Sequence, residues 1–168
     1  GGTSRHMSES TQPLVSVVMP CYNAGAYLEL TLRSVLSQSV ADLEIVLVDD
    51  GSTDDPEAIV RAIGDARIRY QRTPPSGGPS RPRNLGVEAA RGRYVFFFDA
   101  DDLMLPGKIA AQLELMEREP GLALTFTNFR VVDPQGATLN DDFLAGYETF
   151  GRLRGLVAGG AGRLPRDA

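Results

Sequence analysis

Two acidic clusters carry most of the chemistry available to this chain. Asp99-Ala100-Asp101-Asp102 follows Phe96-Phe97-Phe98, and Asp49-Asp50 follows Ile45-Val46-Leu47-Val48. Carboxylates at the end of a buried apolar run are not core filler, because an unpaired buried charge costs several kcal/mol. A D-x-D at a strand end sets Asp99 and Asp101 on one side of an extended backbone. A divalent cation held there keeps open positions for phosphate oxygens. The plainer reading is a helix cap from Asp101 or Asp102, and for Asp49-Asp50 an Asx-turn before Gly51 with a cap. Other chemistries are scarce. The single His, His6, lies in Gly1–Met7, which reads as the remnant of an expression tag, and Cys21 is the one cysteine. A Ser-His-Asp triad, an imidazole base, a disulfide framework and a cysteine zinc site are therefore excluded.

The elements that must position these acids follow from pattern. Leu14–Met19 and Glu44–Val48 are β-rich runs without strict alternation, the mark of strands buried on both faces; Pro20 is expected to stop the first. Leu28, Leu32, Val35 and Leu36 fall at helical spacing. Ser52 or Thr53 is expected to cap a helix with Asp54 and Asp55 in its first turn, Pro56 near its start, and Ile59, Val60 and Ile63 on its apolar side. Ile68–Gln71 alternates as a short strand, and Arg72–Pro82 is a Pro/Gly/Ser-rich loop. Asn84–Arg91 is a short helix with Gly92 at C′. Arg93–Phe98 is a strand. Pro106 starts a helix carrying Ile109, Leu113 and Met116, which Pro120-Gly121 ends. Leu122–Val132 is expected to be extended, with a turn at Asp133–Gly136. The β-α-β-α-β-α-β-α-β order predicts an α/β fold, a mostly parallel open sheet with helices on both faces. Ligands of such sheets bind at the C-terminal strand ends, which here carry Pro20-Cys21-Tyr22, Asp49-Asp50 and Asp99-Ala100-Asp101-Asp102.

Composition sets the outer bounds. The chain has 168 residues with 17 basic and 22 acidic side chains, a net charge of −5 and a pI near 4.9. That is a globular domain with no basic footprint for nucleic acid. No stretch approaches the ~18 apolar residues of a membrane span. Any membrane association is expected through missing regions. The lone cysteine fits a reducing compartment, so a cytoplasmic location is expected, at the inner face of the membrane in a longer protein. The expected domain plan is a tag remnant at 1–7, one ligand-binding α/β domain at 8–140, and a weakly structured or truncated stretch at 141–168.

Taken together, the motifs resemble the inverting family-2 glycosyltransferases of the GT-A fold, which use nucleotide-diphospho-sugars. The residues that carry the likeness are Val15–Asn23, Leu32–Gln38, Ile45–Asp54, Pro82–Gly86, Ala90–Gly92 and Phe98–Asp102, in the family's order and spacing. The resemblance implies a Rossmann-like donor-binding half in which Pro20 and Tyr22 cradle the base and Asp50 contacts its polar edge. It further implies Arg83 near the diphosphate, Asp99 on the ribose side, and Asp101 holding Mn or Mg. The implied donor is a UDP-sugar first and a GDP-sugar second, and the acceptor is unknown.

Inverting transfer also needs a general base. Asp133, Asp141, Asp142, Glu148 and Asp167 follow the D-x-D, none in the family's Glu-Asp context, so no catalytic residue is assigned and the base is expected outside the chain. Such a half is expected to bind donor and transfer sugar poorly. Two other readings compete. One is a non-catalytic nucleotide-binding module that keeps the fold. The other is a haloacid-dehalogenase-type phosphatase, which Phe96–Leu103 resembles. That family wants Thr or Val at Asp102 and a later lysine, whereas Lys108, the only lysine, follows too closely.

Overall fold

The computed structural model of the protein describes residues 12–146. The expected tag remnant and the tail from 147 onward lie outside the described residues. The chain divides into two compact units, Gly1–Ala110 and Ala111–Ala168.

The first unit is a four-stranded sheet in the order β3-β2-β1-β4, with every pairing parallel. β1 is Val15–Cys21, β2 Leu43–Asp49, β3 Ile68–Arg72 and β4 Tyr94–Phe97. All residues of β1 and β2 are buried, as continuous apolar runs between two helical layers should be. Pro20 does not end β1, contrary to expectation: it pairs with Val48, and Cys21 with Asp49. Val18 O accepts from Phe98 N on the β4 side and Cys21 O from Asp50 N on the β2 side. Alternation then turns the missing N–H of Pro20 toward β4, whose register with β1 ends at Val18–Phe97. A proline is tolerated where the ladder has already run out.

Helix α1, Gly25–Leu36, buries Leu28, Leu32 and Val35 as the spacing predicts, and adds Thr31. Each such aliphatic side chain contributes about 1.5–3 kcal/mol. Helix α2, Pro56–Ile63, is capped by Asp55, which accepts from Ala58 N, and not by Ser52 or Thr53. Helix α3, Ser80–Ala89, begins four residues before its expected start. Pro82 sits in its first turn, where an N–H would have no helical partner. Gly92 is not a helix C′ glycine either, because α3 ends in the extended residue Ala90. Its role is close approach: a Cβ there would lie 2.5 Å from Ser16 N. Gly86 serves the same end inside α3, where a Cβ would come within 2.4 Å of Val18 Cγ1. α3 thus lies tight on Val18, Val46 and Val48 through Leu85, Ala89 and Ala90. α1 and α2 belong to right-handed crossovers, which put them on the other face.

β4 differs from the expected fully buried strand. Its residues alternate, leaving Phe97 56% exposed. β4 is an edge of the sheet among the described residues, and α3 covers β1 and β2 instead. Helix α4, Lys108–Arg118, starts after Pro106 rather than at it, because Gly107 has φ +80°.

In the second unit the expected extended run Leu122–Val132 contributes only Val131–Val132, as β5. It pairs antiparallel with β6, Thr138–Asn140, in a separate two-stranded ribbon. Among the described residues there is thus no fifth parallel strand. The Asp133–Gly136 turn is as expected. Asp133 accepts from Gln135 N and Ala137 N, and Gly136 takes φ +85°. The rings of Phe129 and Phe143 stack at 4.4 Å.

Candidate active site

The chain runs from β1 outward to β2 and β3, then crosses back to β4 on the other side of β1. The order therefore reverses between β1 and β4, and a crevice forms at their C-terminal ends. A cleft of about 390 Å³ opens there, and Pro20, Tyr22, Asp50, Arg83, Asp99 and Asp101 all line it. Four separate segments deliver these six residues.

Their surroundings differ. Tyr22 is 62% exposed, so its ring is open to a planar ligand. Asp50 is buried, and its carboxylate accepts from Ser76 N at 3.0 Å and Ser76 Oγ at 2.8 Å. Burial pushes the Asp50 pKa up, and the hydrogen bonds from Ser76 and Thr73 more than reverse this, so it stays below the usual range. Arg83 Nη2 donates to Asp99 Oδ1 at 2.6 Å, while Arg83 Nε is buried without a partner. A buried guanidinium N–H with no acceptor is the kind of group that a bound anion satisfies.

The acidic motif is a turn, not the extended segment expected from sequence: Asp102 N donates to Asp99 O at 3.3 Å. Asp99 and Asp101 still face the same cleft. Burial, together with the charges of Asp101 and Asp99, raises the Asp102 pKa. The like-charge part of that shift, which is second to burial, is what a cation relieves. Among the described residues no group of three potential ligands comes together. A cation here would therefore rest on one or two carboxylates plus ligand phosphates and water, which is the usual mode for magnesium. Asp101, exposed and facing the cleft, fits that role.

Comparison with known proteins agrees with the fold. Residues 16–156 match the family model for glycosyl transferase family 2. The chain belongs to glycosyl transferase family 2. An uncharacterized glycosyltransferase of Haemophilus influenzae is 40% identical over 126 residues, covering 74% of this chain and 50% of that protein. The Bacillus subtilis glycosyltransferase TuaG, named for teichuronic acid biosynthesis, is 39% identical over 141 residues, covering 83% of this chain and 55% of that one. Among solved structures, S. aureus TarS 1-349 in complex with UDP-GlcNAc superposes with a TM-score of 0.60 at 26% identity, over 70% of this chain and 40% of that chain. This likeness places the sheet in the GT-A fold. The family-2 chain spans about half the length of these two curated relatives.

Several residues that build this family-2 cleft escaped the sequence reading. Thr31 Oγ1 donates to Ala100 O at 3.0 Å, Met104 N to Ser34 Oγ at 3.0 Å, and Gln38 Nε2 to Leu105 O at 3.0 Å. Thr31 and Ser34 of α1, with Gln38 just past its end, thus hold the acidic turn and the residues that follow it. Their signal was spacing: Thr31, Ser34 and Gln38 fall within the stripe of Leu28, Leu32 and Val35. The Asp-Gly-Ser-Thr-Asp motif is likewise structural in part. Asn23 N donates to Ser52 Oγ, Thr53 N to Asn23 Oδ1, and Gly25 N to Asp54 Oδ2 at 2.7 Å. Asp49 is fully buried and accepts from Ser52 N, Tyr70 Oη and Arg72 Nη1, so only the second acid of the pair faces the cleft. Burial and the nearby Asp49 charge push the Cys21 thiol up to about 11, so it stays protonated.

Proposed function

We propose that this chain is the donor-binding part of a glycosyltransferase that moves a sugar from a nucleotide-diphospho-sugar to an acceptor hydroxyl with inversion. The observation that carries the reading is the convergence of an open aromatic ring, a buried ionised carboxylate, an arginine with an unpartnered Nε and an acidic turn on one cleft of a family-2 fold. In this reading Pro20 and Tyr22 cradle the base, Asp50 meets its polar edge, Asp99 faces the ribose side, and Arg83 meets the diphosphate. Asp101 holds Mn or Mg, and residues 8–140 form the donor domain. A UDP-sugar is the first donor expected and a GDP-sugar the second; TarS, bound to UDP-GlcNAc, favours the former.

In the transfer, the acceptor oxygen attacks the anomeric carbon while the bond to the diphosphate oxygen breaks. The diphosphate leaves with the electron pair, and the hydroxyl proton goes to a base. A bound divalent cation supplies charge neutralisation at the leaving diphosphate. Arg83 adds a fixed positive charge at the same place, preorganised by Asp99. The base and the acceptor site we assign to chain beyond the described residues. No helix among the described residues is long and apolar enough to cross a membrane. A cytoplasmic location is part of this proposal, in keeping with a sequence that holds one cysteine, with membrane contact at the inner face through regions outside this chain.

Thermal shift and calorimetry with UDP and GDP, with and without Mn²⁺, test the reading. Ligand at a hundred times Kd stabilises by ~2.7 kcal/mol, a rise in Tm on the order of 5–10 °C. Asp101→Asn should remove the metal-dependent part. Equal shifts in Mn²⁺ and in EDTA would contradict the metal role, and no shift with any nucleoside diphosphate would overturn the whole reading.

A further inference from the structure

Neutral donors hold the Asp50 carboxylate. Ser76 N reaches its two oxygens at 3.0 and 3.1 Å, Ser76 Oγ at 2.8 and 2.9 Å, and Thr73 Oγ1 lies 3.4 Å from Oδ1. Ser76 offers one N–H and one O–H and Gly77 N–H also faces the carboxylate, while the Thr73 hydroxyl lies nearer Pro74 O, at 3.1 Å; a carboxylate has about four acceptor positions. Capacity therefore remains for a ligand on the side of Asp50 that lines the cleft.

The loop that carries Ser76 is built to stay in place. Pro74-Pro75 precede it and Gly77-Gly78-Pro79 follow. Thr73 N donates to Asp49 O at 2.8 Å, tying the loop to the end of β2. Pro75 packs so closely on Gly51 that a Cβ there would lie 2.5 Å from Pro75 Cγ, and Gly51 itself has φ +79°. Gly77, with φ +80°, then turns the chain along the cleft wall.

We propose that Ser76 is a positioning residue for nucleobase selection: it sets the rotation of the Asp50 carboxylate so that a free acceptor position faces an N–H on the pairing edge of uracil or guanine. This rests on the reading of the cleft as a nucleotide site. Uracil and guanine carry a ring N–H that donates to a carboxylate. Cytosine and adenine present an unprotonated ring nitrogen there, whose lone pair the carboxylate repels. Because the donors on Asp50 are uncharged, its full negative charge remains for this discrimination. Burial raises the Asp50 pKa and the Ser76 and Thr73 hydrogen bonds lower it further than that, keeping the acceptor ionised.

The test is calorimetric binding of UDP and CDP to the full chain, with Mg²⁺, for wild type, Ser76→Ala and Ser76→Thr. Wild type should favour UDP over CDP by roughly tenfold or more, the size of a charge-assisted hydrogen bond. Ser76→Ala should lose roughly fivefold to tenfold in UDP affinity and most of that preference, while Ser76→Thr, which keeps the hydroxyl, should retain it. The acid limb of UDP binding should also move to higher pH in Ser76→Ala, because Asp50 then protonates more readily. A wild type that binds no nucleoside diphosphate overturns the functional reading and this proposal with it. A wild type that binds UDP, with a UDP-to-CDP ratio unchanged in Ser76→Ala or lost equally in Ser76→Thr, overturns the role of Ser76 alone.

Discussion

Glu44→Gln should make folding stability far less sensitive to acid. The Glu44 carboxylate is 3% exposed on the α3 side of β2. It accepts from Ser16 Oγ at 2.7 Å, Arg91 N at 2.8 Å, Arg91 Nη2 at 2.7 Å and Arg69 Nη1 at 3.1 Å. Burial pushes its pKa up, and these donors more than offset that, leaving it at about 2 against an ordinary 4.5. The folded pKa is depressed, so the stabilisation is complete above the unfolded value and is lost as pH falls through the folded one. The shift corresponds to on the order of 3 kcal/mol, or on the order of 10 °C in Tm for a domain of this size. Urea unfolding followed by circular dichroism, from about pH 7 down to about pH 2.5, should show the variant far less stable at the top of the range. The gap should narrow by on the order of 3 kcal/mol on acidification. Comparing the two proteins at each pH removes Asp49, Asp50 and Asp65, whose pKa values are also lowered. A gap that stays constant across the range would refute the reasoning, since the carboxylate would then act by shape and not by charge.

Three further outcomes are expected. Gly92→Ala should destabilise by about 3 kcal/mol in urea unfolding, at the upper end for overpacking, because its Cβ would meet the backbone of Ser16; Gly86→Ala should cost less, since it meets a Val18 side chain and gains ~1 kcal/mol of helix propensity. Arg83→Lys should weaken UDP binding by about tenfold or more while leaving uridine binding unchanged in calorimetry, because a lysine cannot hold Asp99 and a phosphate with one fork. Tyr22→Ala should weaken UDP and uridine binding alike by roughly tenfold, the worth of a stacked base, with Tm unmoved because the ring is exposed.

Much of the site was legible in the linear chain because its parts are local. Apolar runs that must be buried end in charges that must not be, and in a parallel sheet those ends share one edge. Pro20, Tyr22, Asp50, Asp99 and Asp101 could therefore be placed at that edge from their positions at the ends of β1, β2 and β4, and Arg83 from the motif it sits in. The buried stripe of α1 followed from its period, and the turn at Asp133–Gly136 from its residue types. What the chain could not show by itself depended on partners distant in sequence. Asp49 and Asp50 are adjacent and chemically identical, yet one is consumed by Tyr70 and Arg72 and the other faces the cleft, because alternation along β2 and the arrival of β3 divide them. Glu44 looked like a strand residue and became a buried anion because Arg69, 25 residues away, and Arg91, 47 residues away, converge on it. Gly92 resembled a helix terminator until the sheet brought Ser16 against it. Sequence types and periods decide which groups are buried and which are left at an edge. Only the packed sheet decides which neighbour each buried group meets, and that neighbour sets its charge, its orientation and its use.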